Sequence, residues 1–525
     1  MRGIRRGPVA AGLAVAGLSV VAQSPPDVEV TGGRIRGEQL AGGVAVFKGI
    51  PYAHPPTGEF RWREPAPVVS WDGVRDATAF GNICPQQPSV TFPNASDLIS
   101  EDCLSLNVWT PEWPATGASR PVLLRIPGGG NINGGTSEAR YDGHAIARRG
   151  LVVVTINYRL GSFGFFSHPA LTAESPRRAS GNQGLLDQVA ALEWVHANIA
   201  RFGGDPAAIT LAGSSAGAID ITALMTSPLT KGRFARAIIE SGPARNALGD
   251  PLPREEAERL GAAHTTTWGT QAGRSLQDLR ALSMKTILGA QPSRPVPYLN
   301  LTVDGYVVPV APALAFAAGR QHAIPAIMGN AARDFTPGAP PPSGLTALIN
   351  ERYGPLAERA RRLYAADDPL YGTPEVQWAT DIGFRCGTVL QLVQHMNAGN
   401  RTFAFEFARL ASPPIQPGGN IHGLHGSYVM GTLATRGEGT KLQPMTVTPE
   451  DTKLSDLMQQ YWVNFIKTGD PNGPALPVWP GFREPERTYV QLAEAGVIAK
   501  QGLRQSQCDI YIEHIDRLNR RTSDR

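Results

Sequence analysis

The chain has 525 residues, of which 42% are hydrophobic and 18% charged, and this is the composition of an ordinary soluble globular protein. Its formal net charge of +4 comes from arginines dispersed along the chain, without the long basic runs that mark nucleic-acid-binding tails. These values argue against a disordered protein and against a nucleic-acid partner.

The N-terminal residues predict a secretory signal peptide over residues 1–22. An apolar stretch from Pro8 to Val21 follows three arginines and precedes the small residue Ala22, after which we expect cleavage. A membrane anchor is the alternative, but the stretch is shorter than the ~20 residues of a useful spanning helix. Since no other apolar run approaches that length, the mature chain is expected to lack a membrane span.

Export makes the four cysteines informative, because thiols pair in an oxidising compartment. Cys84 and Cys103 lie close together in the sequence, while Cys386 and Cys508 are distant from them. Three pairings are possible, and the residues alone do not choose among them. No Cys-x-x-Cys spacing occurs, so we expect no zinc site, and we expect no cofactor.

Apolar runs that resemble strands alternate with helical ones, which predicts an α/β fold with a mostly parallel sheet flanked by helices. The predicted strands cover residues 121–126, 151–158, 208–213, 236–241, 325–330 and 401–407. Helical spacing of apolar residues predicts a core helix in "GLLDQVAALEWVHANIARFGG" and an amphipathic helix in "LSDLMQQYWVNFIKTGDP". The segment "DFTPGAPPPSG" predicts a loop. Because no linker divides residues 23–525, we expect one catalytic domain with long insertions.

The stretch "LAGSSAGA" fits the pattern Gly-x-Ser-x-Gly in one register, with Ser215 at its centre and Ser214 as the neighbour. A buried strand precedes it and a helical run follows, which is the context that a nucleophile elbow requires. Small flanking residues prevent side-chain collisions at such a turn. A Gly/Ser turn without a catalytic role remains the alternative on these residues alone.

A serine hydroxyl becomes a useful nucleophile only with a base, a carboxylate that orients the base, and N–H groups that receive the oxyanion. The run "RIPGGGNINGG" follows a predicted strand and offers Gly128, Gly129 and Gly130 as backbone donors. A glycine triplet alone is also compatible with a phosphate-binding loop or a merely flexible one.

A series of longer blocks follows in chain order: "FKGIPYAHPPTGEFRWREP", "EDCLSLNVWTP", "PGGGN", "NYRLGSFGFF", "GNQGLLDQVAALEWVHANIARFGGDP", "GSSAG" and "ESGPA". In order and spacing they resemble the type-B carboxylesterase/lipase family, which has the α/β-hydrolase fold and includes the cholinesterases. The match covers nearly the whole mature chain. The resemblance implies a serine carboxylesterase acting on a small-molecule ester. It also implies two disulfides, Cys84–Cys103 and Cys386–Cys508.

Carried over by position, the resemblance makes Ser215 the nucleophile and assigns the oxyanion hole to the N–H groups of Gly129, Gly130 and Ala216. The catalytic acid lies in "GNAARDF", where Asp334 takes the place of the family's glutamate. A shorter carboxylate can still orient an imidazole. A loop-capping role for Asp334 is the alternative.

Two histidines in "GGNIHGLHGSYVMGT" are candidates for the base, His422 and His425. The spacing of the family's motif fits only if His422 is the base. The resulting order Ser215, Asp334, His422 is the chain order of an α/β-hydrolase triad.

Departures from the family pattern fall close to the reacting centre. Ser214 and His425 stand where the family commonly has glutamates, and Pro127 and Asn131 flank the glycine run in place of the usual His or Tyr and Phe. We therefore place Asn131, Ser214 and His425 at the substrate pocket, which is expected to be polar and less acidic than usual.

Such a pocket favours esters whose acyl part carries free carboxylates over cationic esters, because each acid removed reduces repulsion. The tricarballylic esters of fumonisin mycotoxins, which hydrolytic members of the family are known to accept, are one candidate. Sequence drift without functional meaning is the alternative, and simple aliphatic or aromatic esters stay open.

Two other functions are compatible with parts of this pattern. Some animal members with this fold are non-catalytic binding modules, but such proteins typically lack the nucleophile, whereas here serine, histidine, acid and glycine run are all present. Amide or peptide hydrolysis would use the same triad, but no separate peptide-docking domain is visible in the sequence.

Overall fold

The computed structural model describes residues 25–89, 92, 98–115, 117, 119–271, 273–335, 344–411, 419, 421–436, 438, 440–441 and 444–523. The predicted signal peptide, residues 1–22, lies outside these residues, as does most of the predicted loop "DFTPGAPPPSG". Within these ranges, no helix combines the length and the apolar character that crossing a bilayer would require.

The strands of the described chain are β1 Asp27–Val30, β2 Gly33–Arg36, β3 Glu38–Gln39, β4 Ala45–Pro51, β5 Val74–Asp76, β6 Ser105–Thr110, β7 Arg120–Ile126, β8 Val152–Ile156, β9 Gly204–Ser214, β10 Arg236–Glu240, β11 Leu252–Pro253, β12 Thr302–Val303, β13 Ala326–Ala331, β14 Thr402–Phe407, β15 Tyr489–Ala493 and β16 Gly496–Lys500. Eleven of them form one mixed sheet in the order β16-β15-β14-β13-β10-β9-β7-β8-β6-β4-β3. Its central part, from β15 to β8, is parallel, and antiparallel strands extend both edges.

The helices of the described chain are α1 His144–Ala147, α2 Gly161–Gly164, α3 Pro169–Glu174, α4 Gln183–Asn198, α5 Ala216–Leu224, α6 Arg254–His264, α7 Leu276–Arg280, α8 Met284–Gly289, α9 Pro312–Ala317, α10 Gly344–Tyr353, α11 Ala357–Leu363, α12 Pro374–Thr380, α13 Cys386–Asn397, α14 Leu424–Met430, α15 Pro449–Thr468 and α16 Gln505–Ser523. A π-helical turn, Asp381–Arg385, joins α12 to α13. The two large hydrophobic clusters lie on opposite sides of the sheet, one packed against α4, α5 and α13 and the other against α14 and α15.

The six strands predicted from sequence are confirmed as β7, β8, β9, β10, β13 and β14, with small shifts at their ends. Strand β8 stops at Ile156, two residues short of the prediction. The strand stops there because the side chains of Asn157 and Tyr158 bond to neighbouring loops. Asn157 Oδ1 accepts the Thr136 N–H at 2.9 Å, and the Tyr158 hydroxyl donates to the Pro127 carbonyl at 2.9 Å. The antiparallel edge strands, which the alternation pattern did not reveal, make the sheet mixed.

Both predicted helices are confirmed, and each ends at a glycine in the left-handed region. Helix α4 continues as a 3-10 turn to Phe202 and stops at Gly203, whose φ is 76°. Helix α15 stops at Gly469, whose φ is 78°. It begins earlier than predicted, because Thr448 and Asp451 form a capping box ahead of the amphipathic stretch.

The two disulfides that the resemblance implies are present in the structure. Cys84 bonds Cys103, closing a short segment, and Cys386 bonds Cys508, joining α13 to α16 across 122 positions of the chain. The side chains of all four cysteines are buried. The second bridge therefore fixes the C-terminal helix to the helix that passes beside the candidate site.

The candidate catalytic residues follow strands in the parallel part of the sheet. The glycine run comes after β7, Ser215 after β9 and Asp334 shortly after β13. Because the carboxyl ends of parallel strands share one edge of a sheet, these residues come together there, where open α/β folds bind their ligands.

Candidate active site

Ser215 occupies a strained turn between β9 and α5, with φ 58° and ψ −128°. A non-glycine residue reaches this region only when the surrounding structure holds it there. Here the Ser215 N–H donates to the Glu240 carbonyl at 2.8 Å, and the Ser215 carbonyl accepts the N–H groups of Ala218 and Ile219 at 2.9 and 3.0 Å. The strand–turn–helix context expected of a nucleophile elbow is thus present.

The glycines around the elbow leave room for three backbone segments to cross. A Cβ on Gly213 would lie 2.6 Å from the carbonyl carbon of Gly217, and a Cβ on Gly217 would lie 2.8 Å from the Pro127 carbonyl oxygen. A Cβ on Gly128 would come within 3.1 Å of the Ser215 Cβ. Larger residues at these positions would force β9, α5 and the glycine run apart.

His422 and Asp334 form a close pair although 88 positions separate them in the chain: His422 Nδ1 lies 2.5 Å from Asp334 Oδ1. The second oxygen, Asp334 Oδ2, accepts the Ala331 N–H at 3.1 Å. Burial acts to raise the pKa of Asp334, but the charge and hydrogen bond of His422 outweigh it, so this pKa lies below the usual value. An ionised carboxylate therefore orients the imidazole through Nδ1, which leaves Nε2 on the opposite side of the ring.

The imidazole of His422 is positioned by a turn and by an aromatic face. Gly423, with φ 72°, follows it and caps the start of α14. The ring of Phe384, from the π-helical turn, stacks on His422 with centroids 5.3 Å apart and planes 13° apart. No motif in the sequence points to Phe384, because the π turn that presents it has no recognised sequence signal.

The glycine run is held as a tight loop beside the elbow. Gly129, Gly130 and Asn131 all have positive φ, at 123°, 65° and 59°. The Gly128 N–H donates to the Tyr141 hydroxyl at 3.2 Å. Ala216, on the other side, is the first residue of α5, where an N–H has no acceptor within its own helix. This arrangement can present backbone donors to an oxyanion.

Asn131 anchors the loop to a buried carboxylate in α5. Its Oδ1 accepts the Tyr158 hydroxyl at 3.0 Å, and its Nδ2 donates to Asp220 Oδ1 at 3.0 Å and lies 3.3 Å from Asn300 Oδ1. Gln188 Nε2 donates to the other oxygen, Asp220 Oδ2, at 2.6 Å. Asp220 is not among the site residues predicted from the sequence. A single carboxylate within the apolar run "AGAIDITALM" was the available signal, since a buried acid requires polar partners.

Burial governs the protonation of Asp220, whose partners in the described part of the chain are the amides of Asn131 and Gln188 and include no cation. Removal from water raises its pKa to about 7, although the hydrogen bonds from Asn131 and Gln188 act in the opposite direction. Asp220 is therefore a group that titrates near neutral pH, next to the glycine loop.

Behind the elbow, a buried ion pair and a neutral histidine pack together. Arg125 Nη2 lies 2.5 Å from Glu240 Oε2, and His425 Nε2 lies 3.7 Å from the same oxygen. His425 is fully buried between Phe405 and Phe407, and this burial lowers its pKa. At neutral pH His425 is uncharged, and Arg125 compensates the charge of Glu240.

The three residues expected at the substrate pocket are each buried in protein contacts. Asn131 and His425 are 0% exposed and Ser214 is 9% exposed. They lie against the glycine loop, the elbow and the cluster behind it. They therefore support the backbone that carries the reacting groups. Their part in substrate binding stays a prediction.

The α/β-hydrolases are defined by a mixed sheet flanked by helices, a strained serine turn after a central strand, and an Asp–His pair further along the chain. This structure has all three features. The model of the carboxylesterase family matches residues 24–341 and 364–511, and the chain belongs to this family.

Three relatives illustrate the range of the match. Liver carboxylesterase 1 of Oryctolagus cuniculus is 33% identical over 547 residues, which cover 93% of each chain. Fumonisin B1 esterase of Sphingopyxis macrogoltabida is 35% identical over 460 residues, covering 85% of this chain and 83% of its own. The crystal structure of the Geobacillus stearothermophilus carboxylesterase EST55 at pH 6.2 superposes with a TM-score of 0.80 at 32% identity, covering 92% of this chain and 99% of that one. The protein is a carboxylic ester hydrolase.

The buried acid Asp220 should make the stability of the protein depend on pH. Its pKa of about 7 in the folded state exceeds the value near 4 of an unfolded chain, so the folded state binds the extra proton between these values. The free energy of unfolding should therefore fall as pH rises from about 4 to about 7, by on the order of a few kcal/mol, and level off at higher pH. Asp220→Asn should remove this loss.

The asparagine can be accommodated because Gln188 Oε1 is buried without a hydrogen-bond partner among the described residues, and a rotated Gln188 amide can accept the new N–H. Urea unfolding of both proteins from pH 5 to pH 8.5 measures the difference. Parallel pH profiles would show that Asp220 does not titrate in this range.

Proposed function

We propose that the protein hydrolyses carboxylic esters through an acyl-enzyme on Ser215, with His422 as the general base and Asp334 as the group that orients it. The observation that carries the proposal is the 2.5 Å contact between His422 Nδ1 and Asp334 Oδ1. Asp334 follows β13 at the edge of the sheet where the strained Ser215 follows β9.

In the acylation step, His422 Nε2 takes the proton of the Ser215 hydroxyl while its oxygen attacks the ester carbonyl carbon. The carbonyl oxygen becomes an oxyanion, which the N–H groups of Gly129, Gly130 and Ala216 stabilise. When the intermediate collapses, the C–O bond to the alcohol breaks and the alcohol leaves with the proton held on His422. The acyl group stays on Ser215.

In the deacylation step, His422 takes a proton from water while the water oxygen attacks the acyl carbon. The C–O bond to Ser215 then breaks, the proton passes from His422 to the Ser215 oxygen, and the acid is released. In both steps the imidazole becomes an imidazolium. Asp334 stabilises that cation because it is already ionised, as its lowered pKa indicates. A neutral Asn at this position would favour the wrong imidazole tautomer.

We further propose that the acyl part of the preferred ester carries free carboxylates, as in polycarboxylate esters such as fumonisins. The uncharged His425 and Ser214 stand where the resemblance expects acids, and Glu240 nearby is paired with Arg125. The negative charge of Glu240 behind the nucleophile is therefore compensated by Arg125 when a substrate anion binds. The similarity to a fumonisin B1 esterase supports the same class.

A secreted or periplasmic location fits these features. The leader-like pattern of residues 1–22 and the two buried disulfides support it, since disulfides persist in oxidising compartments. A non-catalytic binding module of the same fold is less well supported, because strain at Ser215 and a preformed Asp–His pair have no use in simple binding.

The first test distinguishes the adjacent serines. Ser215→Ala should lower kcat/KM for a neutral ester by about 10⁴-fold or more, because the acyl-enzyme can no longer form. Ser214→Ala is the matched control, since its Oγ is buried without a hydrogen-bond partner among the residues described, and it should retain activity. Steady-state kinetics that gave the reverse ranking would move the nucleophile to Ser214.

The second test distinguishes the two histidines. His422→Ala should cost several orders of magnitude in kcat because the general base is lost. His425→Gln should leave substantial activity, since His425 is neutral and enclosed by Phe405 and Phe407. Circular dichroism verifies that both variants are folded. A folded His425→Gln enzyme as inactive as His422→Ala would contradict the assignment.

The third test addresses the substrate class with two esters of one alcohol, 4-nitrophenyl hydrogen adipate and 4-nitrophenyl hexanoate. We expect kcat/KM for the adipate to exceed that for the hexanoate by about tenfold or more. This factor corresponds to a charge-assisted hydrogen bond to the free carboxylate, which contributes roughly 1.5–3 kcal/mol. Ser214→Glu should reduce this ratio. Equal rates on both esters in the wild type would show that the charge departures have no functional meaning.

A further inference from the structure

A second feature near the candidate site is a cavity of about 490 Å³ that contains two arginines. Its walls are largely apolar and include Trp378, Ile382 and Tyr511, while Arg245 and Arg352 also line it. This volume lies within the range of small-molecule sites, which are typically apolar with a few placed polar groups.

The cavity shares its walls with the groups that hold the catalytic pair. Phe335, the residue after Asp334, lines it, and so does Gly383, the residue before Phe384. The rings of Phe335 and Phe384 are 5.7 Å apart, and Phe384 stacks on His422. Two consecutive ring contacts therefore connect His422, through Phe384, to Phe335 in the cavity wall.

The loop that carries Arg245 begins against the nucleophile. A Cβ on Gly242 would lie 2.5 Å from the Ser215 carbonyl oxygen, so this backbone touches the elbow. Arg245 follows three residues later, and its Cα is thus at most about 11 Å from that of Gly242. The Ala244 N–H donates to Gln391 Oε1 at 2.7 Å, which fixes the loop on α13.

The charges facing the cavity sum to an excess of positive charge. Arg245 Nη1 contacts Asp250 Oδ2 at 2.8 Å, so one carboxylate compensates this arginine. Arg352 has no ion pair among the described residues, and its Nε is buried without a hydrogen-bond partner there. The guanidinium lies over the ring of Tyr511, 5.6 Å from its centroid. The Arg352 side chain also interacts with the Tyr353 and Tyr511 hydroxyls, which hold it beside the cavity. A guanidinium without a carboxylate partner can bind a ligand carboxylate, whose planar geometry it matches.

We propose that Arg352 and Arg245 bind a carboxylate on the acyl chain of the substrate, within this cavity. The inference rests on the proposed acyl-enzyme at Ser215, because it concerns the group that stays bonded to that serine. The loop that begins against Ser215 leads to Arg245, so an acyl chain held on the serine can extend towards the cavity. The apolar walls take the methylene chain, and the arginines take its anionic end.

The test measures kcat/KM for 4-nitrophenyl hydrogen adipate relative to 4-nitrophenyl hexanoate in Arg352→Gln and Arg245→Gln. Each substitution should lower this ratio by about tenfold, since it removes one charge-assisted contact. Arg352→Lys should keep part of the preference, because it retains the charge without the planar fork. Hydrolysis of the hexanoate should stay near the wild-type value, which shows that each variant is folded.

Two controls separate a local contact from a general charge effect. Arg362→Gln removes an exposed arginine of α11 that pairs with Glu358, and it should leave the ratio unchanged. A pair of acetates, 4-carboxyphenyl acetate and phenyl acetate, moves the carboxylate to the alcohol. The ratio of these two esters should not respond to Arg352→Gln.

The outcomes distinguish this inference from the proposed function. A wild-type preference for adipate that survives both arginine substitutions overturns the inference, while esterase catalysis at Ser215 stands. An equal loss on both esters in Arg352→Gln and Arg352→Lys also overturns it, because the role would be structural. Full hydrolysis of both esters by Ser215→Ala would overturn the proposed function itself.

Discussion

The reversal of the backbone at Ser215 is the constraint on which the rest of the site depends. Strand β9 must end and helix α5 must begin within one residue, at a positive φ that costs roughly 1–3 kcal/mol for a side chain with a Cβ. The hydrogen bond to the Glu240 carbonyl and the packing of α5 against the sheet offset this cost. Because β7 and β10 flank β9, the glycine loop and the Gly242 turn necessarily meet at the same point.

Three carboxylates are buried around this point and have different partners. These partners decide whether each carboxylate is ionised. Glu240 is paired with Arg125, and Asp334 is paired with His422. Among the residues that the structure describes, the partners of Asp220 are the amides of Asn131 and Gln188. A buried carboxylate without a cation loses solvation that amides do not restore, so burial raises the pKa of Asp220 while the His422 pairing lowers that of Asp334.

The long helical stretch from α12 through α13 links the Asp334–His422 pair to the surrounding walls. Its π-helical turn widens the helix where Phe384 reaches the face of His422, and π-turns of this kind often occur at functional sites. One turn of the chain thus supports the imidazole and also borders the cavity with Arg245 and Arg352. The disulfide between Cys386 and Cys508 holds the adjoining α13 against α16.

The sequence by itself determined the features that depend on neighbouring residues: the parallel strands, the ends of α4 and α15 at glycines, and the single register in which Ser215 fits the elbow. Longer motifs placed Asp334 and His422 as candidates through a resemblance. Only the tertiary structure decided that these two side chains touch, that Asn131 binds Asp220, and that His425 is enclosed and neutral. The physical reason is that local periodicity reports which face of an element is buried, whereas a side chain's partner, solvation and charge depend on which distant elements pack against it.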